Sequence, residues 1–314
     1  MRALLLGLLL LAQACACDDT LSEVHEFGDN PGGLRMFEYV PELAAVAEAA
    51  PALVVMLHGC SQTHGVARSS GLLELSDERG FVVLAPEQGA FNNGNLCFNW
   101  FNAEDTGRAG GEAQSIGDMI DSARTRHGVD PARIFIAGLS AGAAMAVSVA
   151  ASFPELIRGA ASLAGGAHGC ARSALDAAAC MAGDVALDDT EWADRVRAAS
   201  PAGGTLASDA WPRMLALQGD EDPIVNPRSV DAIVAQWATL HAVDAHTPST
   251  TDTLTSSAGD IQLDGFGPDV QRITLGGVGH TLPISPAEGC GEEAAFVADL
   301  GFCALRHVVD WYGL

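Results

Sequence analysis

The sequence predicts an α/β fold with a mostly parallel central sheet covered by helices on both faces. Short apolar runs alternate with segments of helical periodicity, and the connections between them are short. Several of the runs are apolar enough to be buried on both faces, as strands of a parallel sheet are. The 314 residues contain no internal repeat and no domain-sized linker, which favours one domain over residues 34–314.

The individual elements follow from these patterns. Six apolar runs predict strands: 34–40, 52–57, 80–85, 133–138, 213–219 and 270–275. Helical periodicity appears at 112–128, 228–241 and 303–314, and residues 151–159 close a further element. The 112–128 segment places Ile116, Met119, Ile120 and Ala123 on one apolar stripe. The polar stretch 244–260 predicts an exposed loop or hairpin.

The charge of the chain excludes several functions. Its formal net charge is −24, from 40 acidic and 16 basic residues, and every basic residue is an arginine. Without lysine there can be no P-loop lysine, no Schiff base to pyridoxal phosphate and no lysine general base. The acidity also argues against nucleic acid or an anionic lipid surface as a partner. We expect neither a cofactor nor a metal.

The first residues, "MRALLLGLLLLAQACACDD", are typical of an export signal rather than of a membrane span. The signal is predicted over residues 1–16, followed by an N-terminal segment at 17–33. Cleavage after either A-x-A motif would leave Cys15 or Cys17 at the new N-terminus. Neither cysteine has the leucine of a usual lipobox three residues before it, so a lipid anchor at the cell envelope and free secretion both remain open.

Six cysteines remain beyond the signal, an even number that suggests disulfides in an exported chain. They are Cys60, Cys97, Cys170, Cys180, Cys290 and Cys303. Six cysteines allow 15 connectivities, and the residues alone do not choose among them. The six form no C-x-x-C motif, which argues against a structural zinc site.

Ser140 is the predicted nucleophile. It is the centre of Gly138-Leu139-Ser140-Ala141-Gly142, which follows a β-branched run and precedes a run of small residues. Strand, tight turn and helix are the context in which G-x-S-x-G presents a reactive serine. The glycines would avoid clashes with the neighbouring strand and helix, and the helix N-terminus would face the negative charge that develops.

A serine nucleophile needs a base and an acid behind it, and in this fold they follow in the order serine, acid, histidine. His280 is the predicted base because its glycine-rich loop comes directly after a strand. Among the later histidines, His241 ends a helix, His246 lies in the polar stretch and His307 lies on an amphipathic helix. Asp222 is the predicted acid.

The loop with Asp222 also holds Asp220 and Glu221, and Asp220 is the alternative acid, with turn capping as its ordinary role.

The oxyanion hole should use two backbone N–H groups, those of Ala141 and Cys60. Cys60 lies in the loop after an early strand, where His58 is expected to order the loop rather than to act chemically. Trp100 and Phe101, near Cys97, are candidates for an apolar wall that contacts the acyl chain, and ordinary core packing is an equal alternative.

These residues resemble those of the poly(3-hydroxybutyrate) depolymerase-like esterases, a family of the α/β-hydrolase superfamily related to feruloyl and acetylxylan esterases. The matching motifs include "LHGCSQ" (57–62), "GFVVLAPEQ" (80–88), "GLSAGAAM" (138–145), "GDEDPIV" (219–225) and "GVGHTLP" (277–283). The resemblance implies an α/β-hydrolase fold and the triad Ser140, Asp222 and His280. It also implies the disulfide pairs Cys60–Cys97, Cys170–Cys180 and Cys290–Cys303.

The sequence therefore predicts an exported serine esterase that acts through an acyl-enzyme on short hydroxyalkanoate polyesters or oligomers. A feruloyl or acetylxylan esterase uses the same residues and remains an alternative, as does an acyltransferase. A non-catalytic surface-binding protein is a more remote alternative, because such a protein should have lost a triad member. The sequence leaves the oligomeric state open.

Overall fold

Ten strands form one sheet in the computed structural model of the protein, which describes residues 21–46, 49–201 and 206–314. The predicted signal, Cys15 and Cys17 lie outside the described residues. In chain order the strands are β1 Ser22–Val24, β2 Arg35–Tyr39, β3 Leu53–Leu57, β4 Val82–Glu87, β5 Ile134–Leu139, β6 Gly159–Leu163, β7 Arg213–Gly219, β8 Thr250–Thr255, β9 Asp260–Phe266 and β10 Val270–Leu275. Across the sheet their order is β1-β2-β4-β3-β5-β6-β7-β10-β9-β8.

The centre of this sheet is parallel and its two edges are antiparallel. Strands β4, β3, β5, β6, β7 and β10 run parallel to their neighbours in that order. Strands β1 and β2 extend one edge, and β9 and β8 extend the other, by antiparallel pairing. The six runs predicted as strands are β2, β3, β4, β5, β7 and β10, within one or two residues at each end.

Helices cover both faces of the sheet, as predicted. They are α1 Glu42–Val46, α2 Val66–Ser69, α3 Leu72–Arg79, α4 Gly111–His127, α5 Ala141–Ser152, α6 Ala174–Met181, α7 Asp189–Ala199, α8 Arg228–Leu240 and α9 Ala304–Tyr312. Along β3, Leu53, Val55 and Leu57 pack with α4, α5, α7 and α8, whereas Val54 and Met56 pack with α2, α3 and α9. Successive side chains of this wholly apolar strand point to opposite faces, so the strand contributes to the apolar core on each side of the sheet.

Three features of the sheets depart from the sequence-based expectations, and the β8–β9 hairpin agrees with them. Strand β1 lies in the segment 17–33, which the sequence sets apart from the domain, yet it pairs with β2. Strand β6 consists of small residues, "GAASL", and carries no β-branched signal. Strands β8 and β9 form an antiparallel hairpin that includes part of the polar stretch 244–260, so the hairpin alternative predicted for that stretch is the one found. A separate two-stranded parallel sheet, β11 Leu282–Ile284 with β12 Val297–Asp299, follows His280.

Within the described ranges, the helices include none with the length and apolar character needed to cross a bilayer.

Candidate active site

The predicted site residues come together because each follows a parallel strand. Cys60 follows β3, Ser140 follows β5, Asp222 follows β7 and His280 follows β10. These strands lie side by side, with β6 between β5 and β7, and point the same way. Their carboxyl ends therefore meet at one edge of the sheet, where ligands bind in open α/β folds.

Ser140 occupies a sharp turn between β5 and α5. Its backbone has φ 56° and ψ −118°, a conformation that residues with a side chain rarely adopt. A Cβ on Gly142 would lie 2.5 Å from the carbonyl oxygen of Leu57, and one on Gly138 would lie 2.7 Å from the nitrogen of Ala143. Both glycines are therefore required by close backbone approach, as the G-x-S-x-G motif predicts.

Asp222 and His280 form a hydrogen-bonded pair. The Nδ1–H of His280 donates to Asp222 Oδ2 over 2.6 Å, and the Asp222 side chain is fully buried. Asp222 also accepts from the Nε2 of Gln218 and from the backbone N–H groups of Ile224 and Val225. Four donors surround one carboxylate, and this fixes His280 with its proton on Nδ1 and the lone pair on Nε2.

The ionisation of Asp222 follows from these contacts. Burial by itself would raise the pKa of Asp222, but the hydrogen bonds from His280, Val225 and Ile224 outweigh burial and hold the pKa below its ordinary value. The carboxylate therefore stays charged at neutral pH, where it can stabilise an imidazolium on His280.

Asp220, the alternative acid, lies in a different position. Its Oδ1 accepts from the N–H of Gly277 over 2.7 Å, so it ties its own loop to the loop that carries His280. A further bond joins the Glu221 N–H to the carbonyl of Val278, and a Cβ on Gly219 would clash with that same carbonyl. The two loops are thus held together in close contact, with Asp220 as the turn-capping residue and Asp222 against the histidine.

The other late histidines lie elsewhere. The Nε2 atoms of His241, His246 and His307 contact the carbonyl of Pro212, a carboxylate oxygen of Asp189 and the amide oxygen of Gln271, respectively. His280 alone of the four lines the pocket that contains Ser140, in the part of the chain that the structure describes.

That pocket is a mainly apolar cavity of about 180 Å³. Ser140, His280, Cys60 and Ala141 all line it. Among the described residues no hydrogen bond joins the Ser140 hydroxyl to His280, and such bonds often tighten only in the complex with substrate. The apolar wall is formed by Trp100, Ala144, Met181, Ile224, Val225 and Phe296, among others.

Of the two aromatic candidates, the structure brings only one to the pocket. Trp100 lines the cavity, whereas Phe101 does not. The Phe101 ring packs edge-on against Trp100 at a centroid distance of 5.7 Å and lies against the apolar core. Adjacent residues in this irregular segment point to different environments, so of the two aromatic candidates Trp100 alone contributes to the apolar wall.

Residues 59–62, named the oxyanion loop because they contain the predicted oxyanion donor Cys60, approach Ser140 closely. A Cβ on Gly59 would lie 3.3 Å from the Cβ of Ser140. Cys60 and Ala141 both line the pocket, and the N–H group of neither is used in a backbone hydrogen bond within the described residues. Two unpaired donors beside a serine hydroxyl can stabilise a tetrahedral oxyanion.

A buried polar network supports the oxyanion loop from behind. His58 donates from Nδ1 to the Gly59 carbonyl, and its Nε2 accepts from the N–H of Gln88. The Gln88 side chain in turn donates to Glu112, which also accepts from Asn99. Burial lowers the pKa of His58 and raises the pKa of Glu112 to about 8. His58 is thus a neutral residue that orders the loop, which is the role predicted from the sequence. The supporting roles of Gln88 and Glu112 were not predicted.

Disulfides fasten the loops around the pocket. The six cysteines form the three pairs that the family resemblance implies: Cys60–Cys97, Cys170–Cys180 and Cys290–Cys303. Cys60 carries a predicted oxyanion N–H, Cys180 lines the pocket and Cys290 precedes the segment that contains Phe296. Each bond therefore restrains a segment that contributes to the site.

We expect the Cys60→Ser/Cys97→Ser double variant to lose both stability and turnover. The bond spans 37 residues, so in the chain-entropy model it stabilises the fold by about 3–4 kcal/mol. The melting temperature should fall, and kcat should fall even at temperatures where the variant remains folded, because the oxyanion loop is no longer fastened. Thermal unfolding and steady-state kinetics measure the two effects. Peptide mapping that found both thiols free in the oxidised wild-type protein would refute the pairing.

Comparisons with known proteins show which family the chain resembles in sequence and fold. A family model described as "Esterase PHB depolymerase" matches residues 34–252. The chain is 35% identical to poly(3-hydroxyalkanoate) depolymerase C of Paucimonas lemoignei over 310 residues, which cover 98% of this chain and 73% of that protein. It is 31% identical to acetylxylan esterase A of Aspergillus awamori over 272 residues, or 84% of this chain and 86% of that protein.

The solved structure of the acetyl xylan esterase from Aspergillus awamori matches with a TM-score of 0.78 at 26% identity, covering 94% of this chain and 99% of the other. The similarity in sequence and in structure thus extends over most of the chain.

Proposed function

Because the chain belongs to the esterase PHB depolymerase family and is a carboxylic ester hydrolase, we propose that Ser140, His280 and Asp222 form its catalytic triad and act on short hydroxyalkanoate esters. The observation that carries the triad is the buried Asp222–His280 pair of 2.6 Å, which lies at the same pocket as a serine in a strained turn. Strained backbone of this kind is concentrated at active sites.

Acylation uses the lone pair on His280 Nε2. As the Ser140 hydroxyl attacks the ester carbonyl, Nε2 takes its proton and the carbonyl oxygen becomes an oxyanion. The N–H groups of Cys60 and Ala141 bind this oxyanion, and Asp222 stabilises the imidazolium. The C–O bond to the alcohol then breaks, and His280 gives its proton to the leaving alkoxide.

Deacylation repeats these steps with water. His280 removes a proton from a water molecule as it attacks the acyl-enzyme, and the same two N–H groups bind the second oxyanion. When this second intermediate collapses, the bond between the acyl carbon and the Ser140 oxygen breaks and the acid is released. Ser140 recovers its proton from His280. The cycle requires neither a metal nor an organic cofactor.

The size of the cavity supports a short, flexible acyl group. At about 180 Å³ it is smaller than the roughly 300–1,000 Å³ of pockets that bind drug-sized ligands. Its lining is mainly apolar, with Trp100, Met181 and Val225 among the walls. A hydroxybutyryl unit suits such a space better than a rigid feruloyl group, and the 35% identity to a depolymerase favours the same substrate class.

Acetylated polysaccharide is the second candidate substrate. It is favoured by the structural match to an acetyl xylan esterase, since an acetyl group also fits a small cavity. The two candidates differ in the alcohol half of the ester, which is a second hydroxy acid in one case and a sugar in the other.

Export is part of this proposal. Three disulfides support an oxidising location, such as the extracellular space or a periplasm. A lipid anchor at Cys15 or Cys17 stays a prediction from the sequence.

A substrate panel tests the proposal. We expect kcat/KM for a hydroxybutyrate trimer to exceed that for methyl ferulate by about tenfold or more, because a small apolar pocket discriminates by the size of the acyl group. Acetylated xylan should release acetate more slowly than the trimer releases acid at equal ester concentration. The Ser140→Ala variant, prepared in the same way, supplies the background rate. Faster hydrolysis of acetylated xylan would assign the enzyme to polysaccharide instead.

A further inference from the structure

Phe296 occupies a backbone position that its residue type does not favour. It is the third residue of a turn closed by the Val297 N–H and the Ala294 carbonyl, and its φ is 61°. Turns with a positive φ at this position usually place glycine or asparagine there. The phenylalanine side chain is nevertheless 43% exposed, so core burial does not explain it. A bulky residue that breaks the turn rule near a reactive centre points to a functional role.

The ring of Phe296 lies beside the base. It meets the His280 ring edge-on at a centroid distance of 5.8 Å, and it lines the pocket of Ser140. The Phe296 carbonyl accepts from the N–H of Leu282, two residues after His280. Phe296 is thus fixed to the same stretch of chain that carries the base.

Gln62 joins the segment containing Phe296, residues 291–297, to the oxyanion loop. Its Oε1 accepts from the Gly59 N–H over 2.7 Å, and its Nε2 donates to the Ala295 carbonyl over 2.6 Å. Only one orientation of the amide satisfies both contacts, because a backbone N–H requires an oxygen and a carbonyl requires an N–H. One side chain therefore connects the residue before Cys60 with the residue before Phe296, and Gln62 and Ala295 are 233 positions apart.

We propose that Phe296 contacts the alcohol half of the ester and that Gln62 is a positioning residue that fixes Phe296 relative to the oxyanion loop; this inference rests on the proposed function. His280 must reach the leaving-group oxygen in order to protonate it. An exposed aromatic ring packed against His280 consequently borders the path of the departing alcohol. The ring then favours alcohols with apolar groups over short ones.

Esters with one acyl group and different alcohols test the contact. For ethyl and hexyl butyrate we expect Phe296→Ala to lower the hexyl-to-ethyl ratio of kcat/KM by about tenfold, the effect of losing burial for roughly two methylene groups. Hydrolysis of ethyl butyrate should persist in this variant because the triad is intact. A hexyl-to-ethyl ratio within twofold of wild type would overturn the role of Phe296. If the wild-type protein hydrolysed neither ester, the proposed function itself would be overturned.

Two variants test the bridge. Gln62→Met removes both hydrogen bonds at similar volume and without charge, and we expect a lower hexyl-to-ethyl ratio together with a kcat reduced by roughly tenfold or more on both esters, as a displaced oxyanion donor would cause. Gln62→Glu keeps an acceptor for Gly59 but loses the donor to Ala295. The added charge should affect the hydrolysis of both esters equally. A lower hexyl-to-ethyl ratio of kcat/KM in this variant is therefore attributed to the displacement of Phe296.

In the Phe296→Ala background neither change at Gln62 should alter the ratio further, because coupled residues give non-additive effects. Leu254→Ala, at an exposed apolar residue on β8, is the matched control and should leave the ratio unchanged. If Gln62→Met and Gln62→Glu kept the wild-type ratio, or if their effects simply multiplied with that of Phe296→Ala, the bridge would have no part in specificity.

Discussion

Ser140→Ala is expected to lower kcat/KM for a soluble ester such as p-nitrophenyl butyrate by about 10⁴-fold or more, because the triad acts as a unit. The fold should persist, since the substitution removes one hydroxyl from a half-buried residue whose backbone N–H still donates to the Leu163 carbonyl. The measurement is steady-state kinetics alongside far-ultraviolet circular dichroism and thermal unfolding.

Two controls make this result specific. Ser122→Ala changes a serine on α4 outside the pocket and should retain wild-type turnover. A fluorophosphonate probe should label wild-type protein at Ser140 and leave Ser140→Ala unlabelled. Retention of a tenth of the activity in Ser140→Ala would show that another group is the nucleophile.

Asp222→Asn should reduce kcat by about 10³–10⁴-fold, because an amide behind the base favours the wrong imidazole tautomer. The Ile224 and Val225 N–H groups would hold the oxygen of the introduced amide, which turns its NH₂ group toward His280 and Gln218. His280 would then accept at Nδ1 and carry its proton on Nε2, where it cannot accept the proton of Ser140.

Asp220→Asn is the matched control for this change, two residues away in the same loop. Its side-chain oxygen can still accept from the Gly277 N–H, so we expect turnover within about threefold of wild type, as for a surface substitution that keeps its hydrogen bond. Should Asp220→Asn prove the more damaging of the two, the acid behind His280 would have been misassigned.

The sequence predicts the loops of the candidate site well because each follows an apolar run. The runs before Cys60, Ser140 and Asp222 are strands buried on both faces or nearly so, and such strands have a strong signal. The run before His280 is a half-buried strand. The carboxyl ends of parallel strands lie at the same edge of a sheet. A prediction of these strands therefore also predicts that the loops that follow them lie close together.

Other parts of the structure have no comparable signal. Strand β6 is formed by small residues whose place is decided by the strands on either side, an override of local propensity by tertiary context. The position of Phe296 contradicts ordinary turn chemistry, so no local rule predicts it. Gln62 is visible as a polar residue after a strand, but its partner lies more than 200 residues away, and the bridge exists only in three dimensions.

The placement of the disulfides separates formation of the central sheet from restraint of the loops above it. In the described part of the chain none of the three disulfides joins two strands of the central sheet, so the apolar sheet can form while every thiol is reduced. The segments above the strands, by contrast, gain the restraint of the disulfides only after oxidation. We expect the protein with reduced cysteines to be a poorer catalyst than the oxidised protein. Oxidation would then serve as a maturation step that requires no proteolytic cut.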